Sequence, residues 1–256
     1  MLNIKIKSFQ VNDQFSLNNI NLKIKSGSIL ALIGKSGSGK SSIANLVSGS
    51  TISEAAEIAI NGKSINTNLD RLFKEFPEIG YVPQKLHLKP NHTVLEFLEM
   101  LFQQKTKKEG DKIIKNLIHQ FNIKQLIGSK ISTLSGGERQ KLSIIQAISK
   151  PIKALILDEP FSQLDTVQKT EISQQIRELI NQLNIPCLMI SHDLIDVIQL
   201  GDKIAVMEKG KIEFQGTWQQ FFTSQKKKMI QLREVIENYI NTTQKAIEHL
   251  KKLSKG

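Results

Sequence analysis

Two stretches of this 256-residue chain have the residue types and spacing for phosphate chemistry. The first is Gly34, Lys35, Ser36, Gly37, Ser38, Gly39, Lys40 and Ser41, with Ser42 directly behind it. It satisfies G-x-x-x-x-G-K-[ST], in which glycines let successive backbone N–H groups converge on phosphate oxygens at the positive end of a helix. Lys40 adds a full charge beside the outer phosphates, and the Ser41 hydroxyl suits a Mg2+ ion. The second stretch, Ala154 to Glu159, is an apolar run that ends in two carboxylates. At the carboxyl end of a strand in an open α/β sheet, Asp158 can hold a hydrated cation while Glu159 orients or deprotonates water. Ser191-His192-Asp193 ends the next apolar run and places an imidazole on the same rim.

These groups need a scaffold, and the flanking pattern supplies one. Ser28 to Gly34 reads SILALIG, a continuous apolar run of the kind that forms a central strand covered on both faces. It leads through the glycine-rich loop into the apolar-periodic SSIANLVSG, which predicts a helix. ALILD from Ala154 and PCLMIS from Pro186 flank the helical pattern VQKTEISQQIRELINQL, a βαβ unit. Residues 2–25 alternate apolar and polar in LNIKIKSF and INLKIK, on either side of VNDQ, which predicts antiparallel strands. Between about Lys85 and Lys150 the pattern is helical throughout, an insertion into the α/β core. KIAVME and KIEFQ, around Lys209-Gly210, return to strands. The expected class is α/β: a mixed, mainly parallel sheet with an N-terminal antiparallel β subdomain, an inserted helical subdomain and a C-terminal helix. Residues 1–222 are expected to form one domain, with the helical subdomain at about 85–150, and 223–256 a basic amphipathic helix.

Composition narrows the setting. With 39% hydrophobic and 23% charged residues the chain can bury one sizeable core. The single Cys187 allows no intrachain disulfide, suits a reducing compartment, and reads as a small core residue. The apolar runs fall far short of the roughly 20 residues that span a bilayer, and MLNIKIKSFQ lacks the apolar stretch of a signal peptide. A soluble intracellular chain is expected. The net charge is +11, of which residues 222–256 carry eight Lys/Arg against three Glu. In that tail Met229, Leu232, Ile236, Tyr239, Thr243, Ala246, Leu250 and Leu253 follow a heptad seam, for which packing within the chain is the first expectation. His87, His92, His119 and His249 lack metal-ligand spacing and are expected at the surface.

One further motif narrows the class. Leu134-Ser135-Gly136-Gly137-Glu138-Arg139-Gln140 resembles the signature sequence of the ABC ATPase family. The family's ordered set continues over about residues 3–220: the phosphate loop, Gln84 in YVPQ, LSGGERQ, LILDEP, Ser162-Gln163-Leu164-Asp165 and ISHD. The resemblance implies two such domains facing head to tail, with ATP held between the phosphate loop of one and the signature of the other. It implies that residues 34–42 hold the phosphates, and that Ser41, Gln84 and Asp158 serve the Mg2+ ion. It further implies catalytic roles for Glu159 as general base, His192 at the γ-phosphate, Lys40, and Gln84 as the link to the helical subdomain. Ser135, Gly136 and Gly137 would close the partner's site, and Asp165 would couple the two sites.

There are departures from the family pattern. The place where the family usually stacks adenine on an aromatic ring falls by spacing on Val11, with Phe9 and Phe15 nearby. SQLD stands where SALD is common, and Trp218 where the family has a proline, so the start of the helix that follows is expected to differ. The activity implied is that of an ATP-hydrolysing ABC transporter subunit, importer-like, dimerising on ATP binding to drive transport through separate permease subunits at the inner face of the membrane. The alternative is a soluble ABC ATPase driving an assembly process such as iron–sulfur cluster biogenesis. Nucleic-acid partners are not expected, because ABC proteins of that kind carry two cassettes on one chain or a very long coiled coil.

Overall fold

Strands come first: β1 (Leu2–Asn12) and β2 (Phe15–Ile24) form an antiparallel hairpin, and β3 (Ile29–Ile33) is a short strand buried at every position. The computed structural model describes residues 1–65 and 76–253, and in the last helix the side chains as far as Thr242, Lys228 excepted. The remaining elements in chain order are α1 (Lys40–Ser48), β4 (Ala56–Ile60), β5 (Lys63–Ser64), β6 (Ile79–Val82), α2 (Val94–Phe102), α3 (Lys107–Gln120), α4 (Gly136–Ala147), β7 (Ala154–Asp158), α5 (Thr166–Leu183), β8 (Cys187–Ser191), α6 (Leu194–Leu200), β9 (Lys203–Glu208), β10 (Lys211–Thr217), α7 (Trp218–Thr223) and α8 (Lys227–Leu253).

Two sheets result, with strand orders β2-β1-β4-β5 and β10-β9-β3-β8-β7-β6. The first is antiparallel, as the alternation of residues 2–25 predicts; in the second, β9, β3, β8, β7 and β6 run parallel. Strands β3, β7 and β8 are buried at every residue, which explains their unbroken apolar runs. Leu2, Ile4, Ile6, Leu17 and Ile58 of the antiparallel sheet share one core with Leu32, Ile156, Ile190 and Ile43 of the parallel sheet and α1. Truncating any of these to alanine costs about 2–5 kcal/mol, so the frame that carries the loops is stiff. The α/β class stands.

Helix starts are written locally. Thr93, Thr106, Ser135 and Thr217 each form a reciprocal capping box with the residue three positions on, at α2, α3, α4 and α7. Asp165 and Asp193 cap α5 and α6 through their carboxylates. Helix α1 differs: its N-cap is Gly39 at φ 105, with no side-chain cap. Residues 85–93, ahead of α2, are irregular rather than helical. Cys187 is fully buried, and burial drives its thiol far above the ordinary range.

The β9–β10 hairpin turns at Lys209-Gly210, both with positive φ, as its dipeptide predicts. Gly210 N–H donates to Ser38 O (3.1 Å), and its carbonyl accepts from Asn18 N–H of β2 (2.9 Å). The chain divides into two compact units, Met1–Gln215 and Gly216–Gly256. In the second, Trp218 opens α7 behind the Thr217 cap, and its ring meets Phe221 edge-on. Along α8, Met229 and Ile236 of the heptad seam are buried and Leu232 half-buried, whereas Tyr239 is 45% exposed. The side chains of Thr243, Ala246, Leu250 and Leu253, and of His249, lie outside the described residues. Among the described residues no helix is long and apolar enough to cross a membrane.

Candidate functional site

Strands β3, β8 and β7 are consecutive in the parallel sheet, so whatever leaves their carboxyl ends emerges on one rim. From β3 comes the glycine-rich loop, from β7 the pair Asp158 and Glu159, and from β8 His192. Three segments more than 120 positions apart at the extremes thereby become neighbours.

The loop is shaped around Lys40. Its ammonium is buried and donates to the carbonyls of Gly34 (2.7 Å) and Lys35 (3.2 Å), which ties loop entry to the first residue of α1. Burial depresses the Lys40 pKa, and the nearby charges of Glu159 and Asp158 oppose that shift. Lys35, Ser36, Gly37 and Ser41 are exposed, Ser42 is half-buried and Ser38 is 5% exposed. The Ser38 hydroxyl is buried without a partner.

The carboxylates differ from one another. Asp158 is 4% exposed; its Oδ2 accepts from the Tyr81 hydroxyl at 3.4 Å, while its Oδ1 is buried with no partner. Burial, then repulsion from Glu159, pushes its pKa up to about 6. Glu159 has a left-handed backbone, φ 53, which turns the chain out of β7; its N–H donates to Ile190 O (2.9 Å). Its Oε2 accepts from His192 Nδ1 at 2.6 Å. The His192 side chain is 62% exposed and that of Glu159 only 10%, so Nδ1 is used on the carboxylate and Nε2 is left free for a ligand.

The orphaned Asp158 oxygen, the unpartnered Ser38 hydroxyl and an α1 N-terminus with no side-chain cap are what a bound phosphate chain and a hard cation require. Ser41, in the first turn of α1, and Gln84, exposed in the bend after β6, supply neutral oxygens. The donor set fits Mg2+.

The structure brings Lys40, Asp158, Glu159 and His192 together. It puts Ser135, Gly136 and Gly137 elsewhere, at the start of α4, where Gly136 faces the Gln163 carbonyl and Gly137 lies beneath the Gln168 side chain. A Cβ on Gly137 would sit 2.8 Å from Gln168 Cδ. Asp165 is exposed at the N-terminus of α5 and caps it by accepting from Val167 and Gln168 N–H (both 2.9 Å). Val11 is 37% exposed and falls where the β1–β2 register shifts, between Gln10 and Asn12. The aromatic ring at the phosphate loop is Phe15, whose Cε1 would lie 3.1 Å from a Cβ on Gly39.

Sequence reasoning passed over Tyr81, Gln168 and Lys169. Tyr81 stands in the quoted YVPQ, and its contact follows only from the pairing of β6 with β7. Lys169 joins Asp193 and Asp196 across 24 and 27 positions, and no local pattern announces that.

Comparison with known proteins bears on this arrangement. The ABC transporter family model matches residues 17–162. The sulfate/thiosulfate import ATP-binding protein CysA 2 of Shewanella oneidensis is 32% identical over 218 residues, covering 81% of this chain and 60% of that protein. The molybdenum import ATP-binding protein ModC of Pectobacterium atrosepticum is 33% identical over 204 residues, covering 79% and 57%. The chain thus spans about three-fifths of the length of these relatives. Among solved structures, cbiO1 from Clostridium perfringens, part of the ABC transporter complex cbiONQ, matches with TM-score 0.80 at 25% identity over 98% of both chains. The dimeric bacterial ABC transporter cassette MJ0796 matches with TM-score 0.73 at 25% identity over 85% of this chain and 98% of that one. Motif order, the rim of the parallel sheet and these likenesses agree, and the chain belongs to the ABC transporter family.

Proposed function

We propose that this chain is the ATP-hydrolysing subunit of an ABC transporter, working with a second ATPase subunit and with separate permease subunits at the inner face of a membrane. The observation that carries the reading is the 2.6 Å Glu159–His192 pair beside Asp158, on the rim that also holds the Lys40 loop. Similarity to import ATP-binding proteins supports the transport assignment, and the permease would select the cargo.

In this reading the glycine-rich loop of residues 34–41 and Lys40 take the phosphate chain at the uncapped start of α1, with Ser42 in support. Phe15, rather than Val11, is the ring available to the base. Ser41, Asp158 and Gln84 would hold Mg2+, which would neutralise phosphate charge. Glu159 accepts the proton of the attacking water, and His192, its Nδ1–H held by Glu159, donates Nε2–H to the γ-phosphate as the doubly protonated ring. The bond from the terminal phosphorus to the bridging oxygen breaks as water adds, giving ADP and phosphate. Positioning and charge stabilisation supply the rate, with no covalent intermediate on the protein. Ser135, Gly136 and Gly137 complete the site of the second subunit.

Glu159→Gln keeps the shape and removes the base. Turnover should fall on the order of 100–10,000-fold, while MgATP converts the variant to a dimer in light scattering. Normal ATPase activity in the variant would overturn the assignment of the base. A dimer that captures only soluble proteins would replace the transporter reading with assembly work.

A further inference from the structure

Beyond the residues that touch nucleotide, the first two turns of α5 make an unusual set of charged contacts. Lys169 Nζ reaches Asp196 Oδ1 (2.9 Å) and Asp193 Oδ2 (3.2 Å) in the His192 turn and α6. Asp196 is 4% exposed, and its other oxygen accepts from Ser191 Oγ (3.3 Å), the last residue of β8. Asp193 N–H donates in turn to Ser191 Oγ (3.0 Å), and Asp193 Oδ1 caps α6. Burial lowers the Lys169 pKa, but the bonds to Asp196 and Asp193 outweigh it, and the ammonium is held above its ordinary range.

The same lysine is anchored at its other end. Its N–H donates to Asp165 O (2.9 Å), and the segment back from Asp165 returns to Glu159, whose carbonyl accepts from Ser162 N–H and Oγ (3.3 and 3.1 Å). The circuit closes through the Glu159–His192 bond. It therefore runs Glu159, Ser162, Asp165, Lys169, Asp193, His192 and back to Glu159. On the far side of α5, Glu171 pairs with Lys141 of α4 at 2.7 Å. Helix α5 is fixed on both flanks, and Lys169 is the cation among the described residues that holds the His192 turn to it.

We propose that Lys169 is a positioning residue for hydrolysis: it pins the His192 turn to the segment between Glu159 and Asp165, so that the spacing of His192 from Glu159 follows the setting of the Asp165 segment. The proposal rests on the ATPase reading above. Lys169 touches no reacting atom; it acts through His192, and its removal loosens one side of the pair.

The test is Lys169→Met, with Lys169→Arg as the conservative variant and His192→Ala as the background. In single-turnover ATP hydrolysis with enzyme in excess, Lys169→Met should slow the chemical step about tenfold, with affinity for a fluorescent ATP analogue unchanged. Lys169→Arg should restore most of the rate. In the His192→Ala background Lys169→Met should have no further effect, because the group it positions is gone. An unchanged rate in Lys169→Met, or the same fold-loss with and without His192, overturns the proposal. If Lys169→Met does not fold, Asp193→Asn decides by the same readouts, since Asn keeps the α6 cap and loses the charge. Wild-type turnover and its loss in Glu159→Gln are run alongside. Their failure removes the ATPase reading, whereas their success with an indifferent Lys169 removes only this proposal.

Discussion

Two glycine-rich turns in this chain each open a helix, and they are finished in opposite ways. At α1 the cap is a glycine with no side-chain acceptor, Lys40 is folded onto loop carbonyls, and a hydroxyl and a carboxylate oxygen nearby are buried without partners. At α4 Ser135 and Glu138 cap one another (2.7 and 3.3 Å), and Gln163 and Gln168 cover Gly136 and Gly137. The first turn keeps its hydrogen-bonding capacity in reserve for a ligand. The second has used two of its donors and is packed against its own chain. Glycine content alone does not separate the two; the partner of the helix N-terminus does.

The contrast breaks first at Lys40. Lys40→Ala should weaken ATP binding on the order of 100-fold, read by fluorescence titration, and a change of less than threefold would mean that the loop binds without its cation. Asp158 gives the next largest effect. Its folded pKa, about 6, lies above the ordinary 3.8, so the folded state binds the proton more tightly. Stability of the nucleotide-free protein should therefore fall as pH rises from about 4 through 6 and level off above. At pH 8 Asp158→Asn should be more stable than wild type by roughly 1–3 kcal/mol, a gain that shrinks toward pH 4 in urea titrations. A flat difference across that range would show that the carboxylate is not paying for burial in water-poor surroundings.

The signature turn sharpens the contrast from the other side. Gly137→Val should press on Gln168, slow steady-state turnover about tenfold, and leave nucleotide affinity of the separate subunit unchanged. Loss of affinity would mean that the α4 turn serves its own chain's site. The smallest effect is expected for Glu138→Ala, which removes half of the capping box and should cost about 0.5–2 kcal/mol of stability, seen as a lower melting temperature. No change there would weaken the view that α4 is self-sufficient.

Much of the phosphate side was legible because each piece is local. A buried strand, a glycine-rich loop and an amphipathic helix follow one another without interruption from Ile29 to Ser48. The ends of β7 and β8 were equally plain as apolar runs closed by acidic or imidazole groups. The hairpin β4–β5 was missed although AEIAI alternates and Asn61-Gly62 is a turn pair; five residues paired with two make a faint signal. Val11, the place that spacing points to for base stacking, lies at the register shift between Gln10 and Asn12, while Phe15 Cε1 would lie 3.1 Å from a Cβ on Gly39, a contact that spacing alone does not show. The Lys169 circuit was invisible because it depends on how α5 and α6 lie against β8, which sequence spacing does not encode.

The turn at Gly210 has a consequence for the protein as a colloid. Strand β2 is ten residues long and lies at the edge of its sheet, with Leu17, Ile20, Leu22 and Ile24 on its buried face. Such an edge is a template on which another chain can add a strand. Here Gly210 O already takes the Asn18 N–H, and the Gln215 side chain donates to Lys23 O (3.3 Å), so two points along the edge are already bonded. Only glycine fits, since a Cβ at that position would lie 2.0 Å from Ser16 O. The residue that steadies the phosphate loop through Ser38 thus also occupies part of the β2 edge, and a bulkier residue there would have to displace both contacts at once.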